Sequence, residues 1–235
     1  MVILGIESSA LSASAAVVKD GKLLSEMFLN VGLTHSLTLM PLIKQSLENA
    51  GLTADDIDAV AVSNGPGSFT GVRIGVSTAK GIAQPGNKKC VPVSTLEAIA
   101  YPLADSDCIA AAVMDARCQQ VYCALFDCGN SSVTRLTEDD AISLESLCEK
   151  LKEYNKRIVL IGDGADIAYD YLYGKTENIS KALPSNKYQK ASSVAFTAEK
   201  MIENNISVTT ANDLVPSYLR LSQAERELKK KKENI

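Results

Sequence analysis

Histidine, tryptophan and closely spaced cysteines are scarce in this sequence of 235 residues. It has one histidine, His35, and no tryptophan, and none of its six cysteines forms a C-x-x-C pair. A histidine pair for a metal therefore cannot form within one chain, and zinc sites built from cysteine and histidine are not favoured. The zinc-protease motif H-E-x-x-H and the serine-hydrolase motif G-x-S-x-G are also missing, which makes a protease the weakest functional class.

Long apolar runs and an excess of positive charge are absent as well. No run approaches the roughly 20 apolar residues of a membrane helix, and the start, 1–7, is typical of a strand and not of a secretory signal. The 24 basic and 28 acidic side chains give a formal net charge of −4, so no domain-wide basic surface is expected to hold a nucleic acid alone.

We expect the six cysteines to be free thiols and the protein to be cytoplasmic. The run Lys229–Lys232 is predicted to be a solvated tail or a weak RNA contact.

The pattern of apolar residues indicates an α/β fold that is built twice. The order strand, strand, strand, helix, strand, helix occurs in both halves of the chain. The predicted strands are 2–7, 12–18, 22–29, 57–63, 90–93, 109–115, 119–127, 132–136 and 157–162, and the predicted helices are 35–50, 72–83, 95–103, 143–154, 163–172 and 192–204. We therefore predict two lobes with mixed sheets, 1–104 and 105–235, and a ligand cleft between them.

The first strand of each half ends on a carboxylate, followed by small or charged residues. Glu7-Ser8-Ser9 could hold a hydrated magnesium ion through the carboxylate, or a phosphate through hydroxyls and turn amides. The alternative is a solvated charge at the end of a strand. Asp115-Ala116-Arg117 could repeat this arrangement in the second half, or could form a local ion pair.

The most distinctive segment is Gly65-Pro66-Gly67-Ser68-Phe69-Thr70-Gly71. Its glycines allow a tight turn and close backbone approach, and Ser68 or Thr70 can cap the helix that follows. The lysine of a P-loop is missing. The turn is therefore predicted either to pack tightly or to cradle a phosphate at the helix N-terminus. Arg73, in the first helical turn, could pair with an anion or with a carboxylate from a partner.

The predicted helix 35–50 is apolar on more than one side. Leu39, Ile43 and Leu47 form a stripe that suits a core. A second stripe, Leu37–Met40–Lys44, would face solvent unless another chain covers it, which favours either a helix–helix interface or deeper burial within one lobe. Pro41 should bend this helix. His35 is predicted to be a surface residue or an N-terminal residue of this helix, which Thr34 can cap.

Several of these motifs together resemble one protein family. They are 3–9, His35 with Pro41, 64–75, 93–96, 115–117 and 216–220, and they stand in order along nearly the whole chain. This combination, and most specifically Gly-Pro-Gly-Ser-Phe-Thr-Gly-x-Arg, resembles the bacterial TsaB (YeaZ) family of tRNA threonylcarbamoyladenosine biosynthesis proteins. The resemblance implies a duplicated actin-like ATPase fold. It also implies a non-catalytic role beside the catalytic relative TsaD and the ATPase TsaE, which together transfer a threonylcarbamoyl group to the adenosine beside the anticodon of tRNA.

Departures from the catalytic relative support an accessory role. The helix that would correspond to its metal-binding helix, 94–99, has no histidine, and the glycine-rich nucleotide turn of the second lobe is reduced to Gly162-Asp163-Gly164. We therefore expect no cofactor, no metal and no independent transfer chemistry.

We expect a homodimer in isolation, contact with tRNA only through the complex, and no membrane association. The predicted partner interface consists of Leu37, Met40, Lys44, Arg73 and Ser77. The alternative function is a small-molecule kinase of the same fold, with Glu7 and Asp115 as its magnesium and general-base carboxylates.

Overall fold

A computed structural model describes residues 1–117 and 119–220 of the chain. The strands are β1 (Val2–Glu7), β2 (Ala13–Lys19), β3 (Lys22–Leu29), β4 (Ala59–Gly65), β5 (Lys89–Ser94), β6 (Cys108–Asp115), β7 (Gln120–Gly129), β8 (Ser132–Arg135), β9 (Asp140–Ser143), β10 (Ile158–Ile161) and β11 (Ile179–Lys181). The helices are α1 (His35–Ala50), α2 (Phe69–Ala83), α3 (Thr95–Ala100), α4 (Leu144–Leu151), α5 (Ala165–Leu172) and α6 (Ala191–Glu203).

The two halves of the chain form two sheets with the same topology. The first sheet has the order β3-β2-β1-β4-β5, and the second has the order β8-β7-β6-β10-β11 with β9 added beside β7. In each sheet three strands are antiparallel neighbours and the other two continue in parallel. The central strands β1 and β6 end at Glu7 and Asp115, so these carboxylates occupy equivalent places. The predicted α/β fold with duplicated mixed sheets is confirmed.

The helices cover both faces of each sheet, and two of them pack on the sheet of the opposite half. Helices α1 and α2 bury the outer face of the first sheet, and α4 and α5 bury the outer face of the second. Between the sheets, α3 packs on β6 and β7 through Leu96 and Ile99, whereas α6 packs on the first sheet through Val194, Ala195 and Ala198. The division at residue 104 therefore separates the sheets but not these two helices, and the assignment of 105–235 to one lobe stays a prediction.

The predicted helices and strands are confirmed in kind and order, and only their ends shift by a few residues. The two strands that the sequence pattern missed, β9 and β11, have four and three residues. Both are too short to show an alternating pattern of their own. Pro41 lies inside α1 without ending it, and Gly51 closes the helix in the left-handed conformation, with a φ of 68°.

The helix caps differ in part from the prediction. Thr34 precedes α1, but its side chain makes no capping hydrogen bond, so that prediction is wrong in its chemistry. The hydroxyl of Ser68 accepts from the amide of Gly71 and caps α2. Ser94 and Ser143 cap α3 and α4 in the same way. The serine caps compensate the unpaired amides of helix N-termini.

Gly5 in the middle of β1 gives a direct test of the crossed helix packing. A Cβ at this position would lie 2.3 Å from the carbonyl oxygen of Ala191, at the start of α6. We expect Gly5→Ala to lower the free energy of unfolding by about 2 kcal/mol, because backbone must move to relieve the overlap. Gly81→Ala in α2 is the control, because a Cβ there would have nothing within 4 Å, and it should raise stability by about 0.5–1 kcal/mol. Chemical denaturation of both variants measures the difference, and equal effects would contradict the packing described.

Candidate functional site

The glycine-rich turn before α2 packs directly against the turn between β1 and β2. A Cβ on Gly67 would lie 2.5 Å from the carbonyl oxygen of Ser9, and one on Gly71 would lie 2.1 Å from that of Ser8. The Ser68 amide donates to the Ser9 carbonyl over 2.6 Å, and the Ser8 hydroxyl donates to the Gly71 carbonyl over 2.9 Å. The glycines are therefore needed for close backbone approach, which favours the packing role over the phosphate role.

A segment near the end of the described chain encloses the same turn from the other side. A Cβ on Gly65 would lie 2.1 Å from the carbonyl oxygen of Ser217. The Ser217 amide donates to the Asn64 carbonyl over 2.7 Å, and the Asn64 side chain donates to the Val215 carbonyl over 3.2 Å. The glycine-rich turn thus lies between two backbone segments that are distant in sequence.

Glu7 is completely buried at the end of β1, so the interpretation of a solvated strand-end charge is wrong. Its carboxylate accepts from the Ser9 amide over 2.6 Å and from the hydroxyl of Ser63. Burial raises the pKa of Glu7 above the ordinary value of 4.5, and the nearby Asp163 adds to the rise. Both carboxylate oxygens are therefore occupied by donors from the protein itself.

The equivalent turn in the second half is exposed and is held by its own hydrogen bonds. The Asp115 carboxylate accepts from the Arg117 amide over 2.7 Å, and the Ala116 amide donates to the Gln120 carbonyl over 3.0 Å. Asp115 and Arg117 make no mutual ion pair among the described residues. Glu7 and Asp115 thus share a place in the topology but not an environment. Phosphate binding by the two turns stays a prediction.

A hydrogen bond between Asp163 and Gln189, both in the second half of the chain, has no counterpart in the sequence analysis. The Asp163 carboxylate accepts from the Gln189 side-chain amide over 3.0 Å, and burial raises the pKa of Asp163. Gln189 is 1% exposed. A single glutamine between a loop and a helix gives no signal in the sequence, because its burial depends on α6 packing against the first sheet.

The outer side of α1 and α2 forms an exposed apolar face with a groove of about 470 Å³ between the helices. Leu37 and Met40 are 71% and 51% exposed, so deeper burial within one lobe is excluded for both. The groove is lined by His35, Ser36, Leu39, Met40, Thr70, Arg73, Ile74, Ser77 and Thr78. Lys44 lies beside it in an ion pair of 3.7 Å with Glu48. We call this surface the α1–α2 face.

His35 is not a free surface side chain at the start of α1. Its Nε2 lies 2.7 Å from the Ala10 carbonyl oxygen, so the ring joins the helix start to the turn after β1. Its other ring nitrogen, Nδ1, is buried without a partner among the described residues. The histidine therefore helps to fix the helix, and the prediction of a helix N-terminal residue is confirmed.

Arg73 at the edge of the groove lies against two stacked aromatic rings. The rings of Phe69 and Tyr218 are parallel, with centroids 4.0 Å apart. The Arg73 guanidinium lies 4.5 Å from the Phe69 centroid, and its Nε donates to the Tyr218 hydroxyl over 2.8 Å. The sequence shows the motif Phe-Thr-Gly-Val-Arg but cannot show that Tyr218 joins it from 145 residues away.

The segment that carries Tyr218 also reaches the second half of the molecule. The Arg220 guanidinium donates to the Ala116 carbonyl over 2.8 Å, in the turn between β6 and β7. The residues 215–220 thus contact the glycine-rich turn, Arg73 and the turn between β6 and β7. We call this segment the strap.

The described residues offer neither a cluster of metal ligands nor a helix that could span a membrane. In residues 1–117 and 119–220 no group of three or more His, Cys, Asp or Glu side chains is placed to hold a metal ion. None of the helices within those ranges has the length and apolar character to cross a membrane. The predicted tail Lys229–Lys232 lies outside the described residues.

Comparison with known proteins gives consistent results over most of the chain. Residues 30–228 match the model of the family described as TsaD, tRNA N6-adenosine threonylcarbamoyltransferase. The chain is 28% identical over 228 residues to the tRNA threonylcarbamoyladenosine biosynthesis protein TsaB of Bacillus subtilis, covering 96% of each chain. It is 30% identical to TsaB of Escherichia coli over 167 residues, which cover 70% of this chain and 72% of that one.

A solved structure shares the fold. The structure of a Pseudomonas aeruginosa protein described as similar to peptidase YeaZ superposes with a TM-score of 0.79 at 21% identity. The alignment covers 93% of this chain and 99% of that one. At this identity the similarity concerns the fold alone.

Glu7 gives a test of how the site is built. Because its folded pKa lies above 4.5, the native state binds more protons than the unfolded state between the two pKa values. The free energy of unfolding therefore falls as pH rises through that window. Glu7→Gln keeps an acceptor for Ser9 and can donate to Ser63, so we expect its stability relative to the natural chain to increase as the pH rises above 4.5.

Asp56→Asn is the matched control for this test. The Thr53 amide and hydroxyl hold the pKa of Asp56 below 3.8. Asp56 thus contributes stability that is present above 3.8 and is lost as pH falls through its lower folded value. We therefore expect Asp56→Asn to be less stable than the natural chain mainly at neutral pH, where the carboxylate is ionised. A Glu7→Gln profile that is parallel to the natural one, measured by denaturation at several pH values, would contradict the buried carboxylate.

Proposed function

The chain belongs to the TsaB family, within the wider family of the tRNA N6-adenosine threonylcarbamoyltransferase TsaD, and from this we propose that it acts in the biosynthesis of threonylcarbamoyladenosine in tRNA. In this proposal it is an accessory, non-catalytic subunit. It binds a TsaD-type transferase and, together with a TsaE-type ATPase, keeps that transferase in its competent conformation. Contact with tRNA is made through the complex.

The observation that carries this proposal is the exposed α1–α2 face. An apolar surface that a folded lobe leaves uncovered is a typical protein-interaction site. The turn behind α2, by contrast, is filled by the chain's own backbone at Ser8 and Ser9. The part of the motif that faces outward is therefore the helix surface, and this supports function by contact.

The proposed interface consists of five residues on the two helices. Leu37 and Met40 supply the apolar contacts, and both are more than half exposed. Lys44, Arg73 and Ser77 are exposed around them. Since aromatic and apolar anchors with an arginine at their edge are common in interface centres, we expect Met40 and Arg73 to contribute most.

The absence of independent transfer chemistry is supported by the environment of α3. The helix has no histidine, and Leu96, Ile99 and Ala100 are buried in the core with β6 and β7. The apolar side chains of α3 are thus used in packing, and Glu97 pairs with Arg135 over 3.0 Å. Glu7, which a kinase of this fold would use, is buried and hydrogen-bonded on both oxygens.

A reducing cytoplasm is the proposed location. The five cysteines within the described residues are free and buried, and burial raises the pKa of the Cys123 thiol to about 12. The Cys123 thiol therefore stays protonated and unreactive. Small proteins of oxidising compartments use cysteine in disulfides instead.

Met40→Glu tests the interface directly. A carboxylate in the centre of an apolar contact would have to be desolvated, so we expect the affinity for the TsaD-type subunit of the same genome to fall about 30-fold or more. Gln45→Glu is the control, because it introduces the same residue at another exposed position of α1. Calorimetry measures both affinities, and thermal melts check that both variants fold. Equal affinity of the two variants would place the interface elsewhere.

Reconstitution tests the function itself. We expect threonylcarbamoyladenosine to form in tRNA when the TsaD-type and TsaE-type proteins are combined with this chain, and to fall at least about tenfold when it is omitted, because the partner would lose its competent state. Nucleoside analysis by mass spectrometry measures the product. Full activity without the chain would contradict an accessory role, and product formed by the chain alone would contradict a non-catalytic one.

A further inference from the structure

Arg73 is a cation on the α1–α2 face for which no carboxylate is provided nearby. Its side chain is exposed. Among residues 1–117 and 119–220, no Asp or Glu lies within ion-pair distance of its guanidinium. An exposed arginine of this kind is usually mobile, because its rotamers cost little to exchange.

Here the arginine is held in place by two contacts. The guanidinium stacks on Phe69 at 4.5 Å from the ring centroid, and its Nε donates to the Tyr218 hydroxyl. Tyr218 in turn stacks on Phe69 and belongs to the strap, which the Ser217–Asn64 and Arg220–Ala116 hydrogen bonds fix at both sides. The terminal nitrogens remain available for a bidentate contact. Because the guanidinium is already fixed before a partner binds, part of the entropy cost of binding is removed.

The other charges of α1 and α2 are already compensated. Lys44 pairs with Glu48, and the Lys80 ammonium donates to the carbonyls of Asn212 and Leu214. Glu48 is the only carboxylate in the two helices. A second copy of this chain would therefore bring no uncommitted acid on this face to pair with Arg73.

From these contacts we propose that Arg73 is the specificity-determining residue of the α1–α2 face, with Tyr218 as its positioning residue. The partner segment that occupies the groove carries a carboxylate over Arg73 next to an apolar side chain that packs on Leu37 and Met40. This rests on the proposed function, since the partner is the TsaD-type subunit, and it adds the chemistry by which that subunit is recognised.

The test uses the full chain and the TsaD-type subunit of the same genome, with association and dissociation rates measured at several salt concentrations. We expect Arg73→Ala to weaken binding about tenfold at low salt, mostly by faster dissociation, and to flatten the salt dependence. Tyr218→Phe keeps the stacked rings but removes the acceptor, so we expect an effect of about threefold in the same direction. Lys44→Ala removes one positive charge from the same face and should slow association without faster dissociation.

The outcomes separate this inference from the proposed function. If Met40→Glu disperses the complex while Arg73→Ala dissociates at the natural rate, the inference is overturned and the proposed function stands. If Arg73→Ala weakens only self-association, the acid lies on a second copy and the inference is also overturned. If Met40→Glu has no effect, the interface of the proposed function is wrong and the inference is overturned with it.

Discussion

The packing of the glycine-rich turn against the end of β1 is the constraint on which the site depends. Side chains at positions 67 and 71 would overlap the backbone of Ser9 and Ser8, and the Ser68 amide is used to bind the Ser9 carbonyl. Because the backbone of Ser8 and Ser9 packs directly against this turn, the start of α2 is held close to the end of β1. The Ser68 amide and the Gly71 carbonyl of the turn form hydrogen bonds within the protein. The outer surface of α1 and α2 is therefore the part that remains free to contact a partner.

The strap extends this constraint to the whole molecule. It encloses the glycine-rich turn at Gly65, stacks Tyr218 on Phe69 and ends in the Arg220 contact to the second half. Helix α3 packs on the second sheet and α6 packs on the first, and this crossed packing is a second connection between the halves. Segments of both halves thus connect the two sheets, and one of these segments, the strap, contacts the α1–α2 face at Arg73.

The local features could be predicted from the sequence because they depend on nearby residues. The neighbouring strands 12–18 and 22–29, the helix 35–50 and the serine cap at Ser68 all follow from short-range patterns. The two stripes of α1 follow from helical periodicity, and exposure of Leu37 and Met40 agrees with the outer stripe.

The remaining features depend on contacts between distant residues. The burial of Glu7 against Ser63, the Gln189–Asp163 hydrogen bond and the Tyr218–Arg73 contact arise only when residues that are distant in sequence come together. Nothing in the residue types distinguishes Glu7 from Asp115, although one is buried and the other exposed. Periodicity thus predicts the buried side of a helix such as α1, but the burial of a single polar residue at the end of a strand depends on contacts that the sequence pattern does not show.

Amide hydrogen exchange of the chain, alone and with the TsaD-type subunit, measures the central claim most directly. If the chain works by contact through its two outer helices, protection on binding will be concentrated in α1 and α2 and in the adjoining strap. Protection confined to the turns after β1 and β6, with α1 and α2 exchanging as in the free chain, would contradict the account.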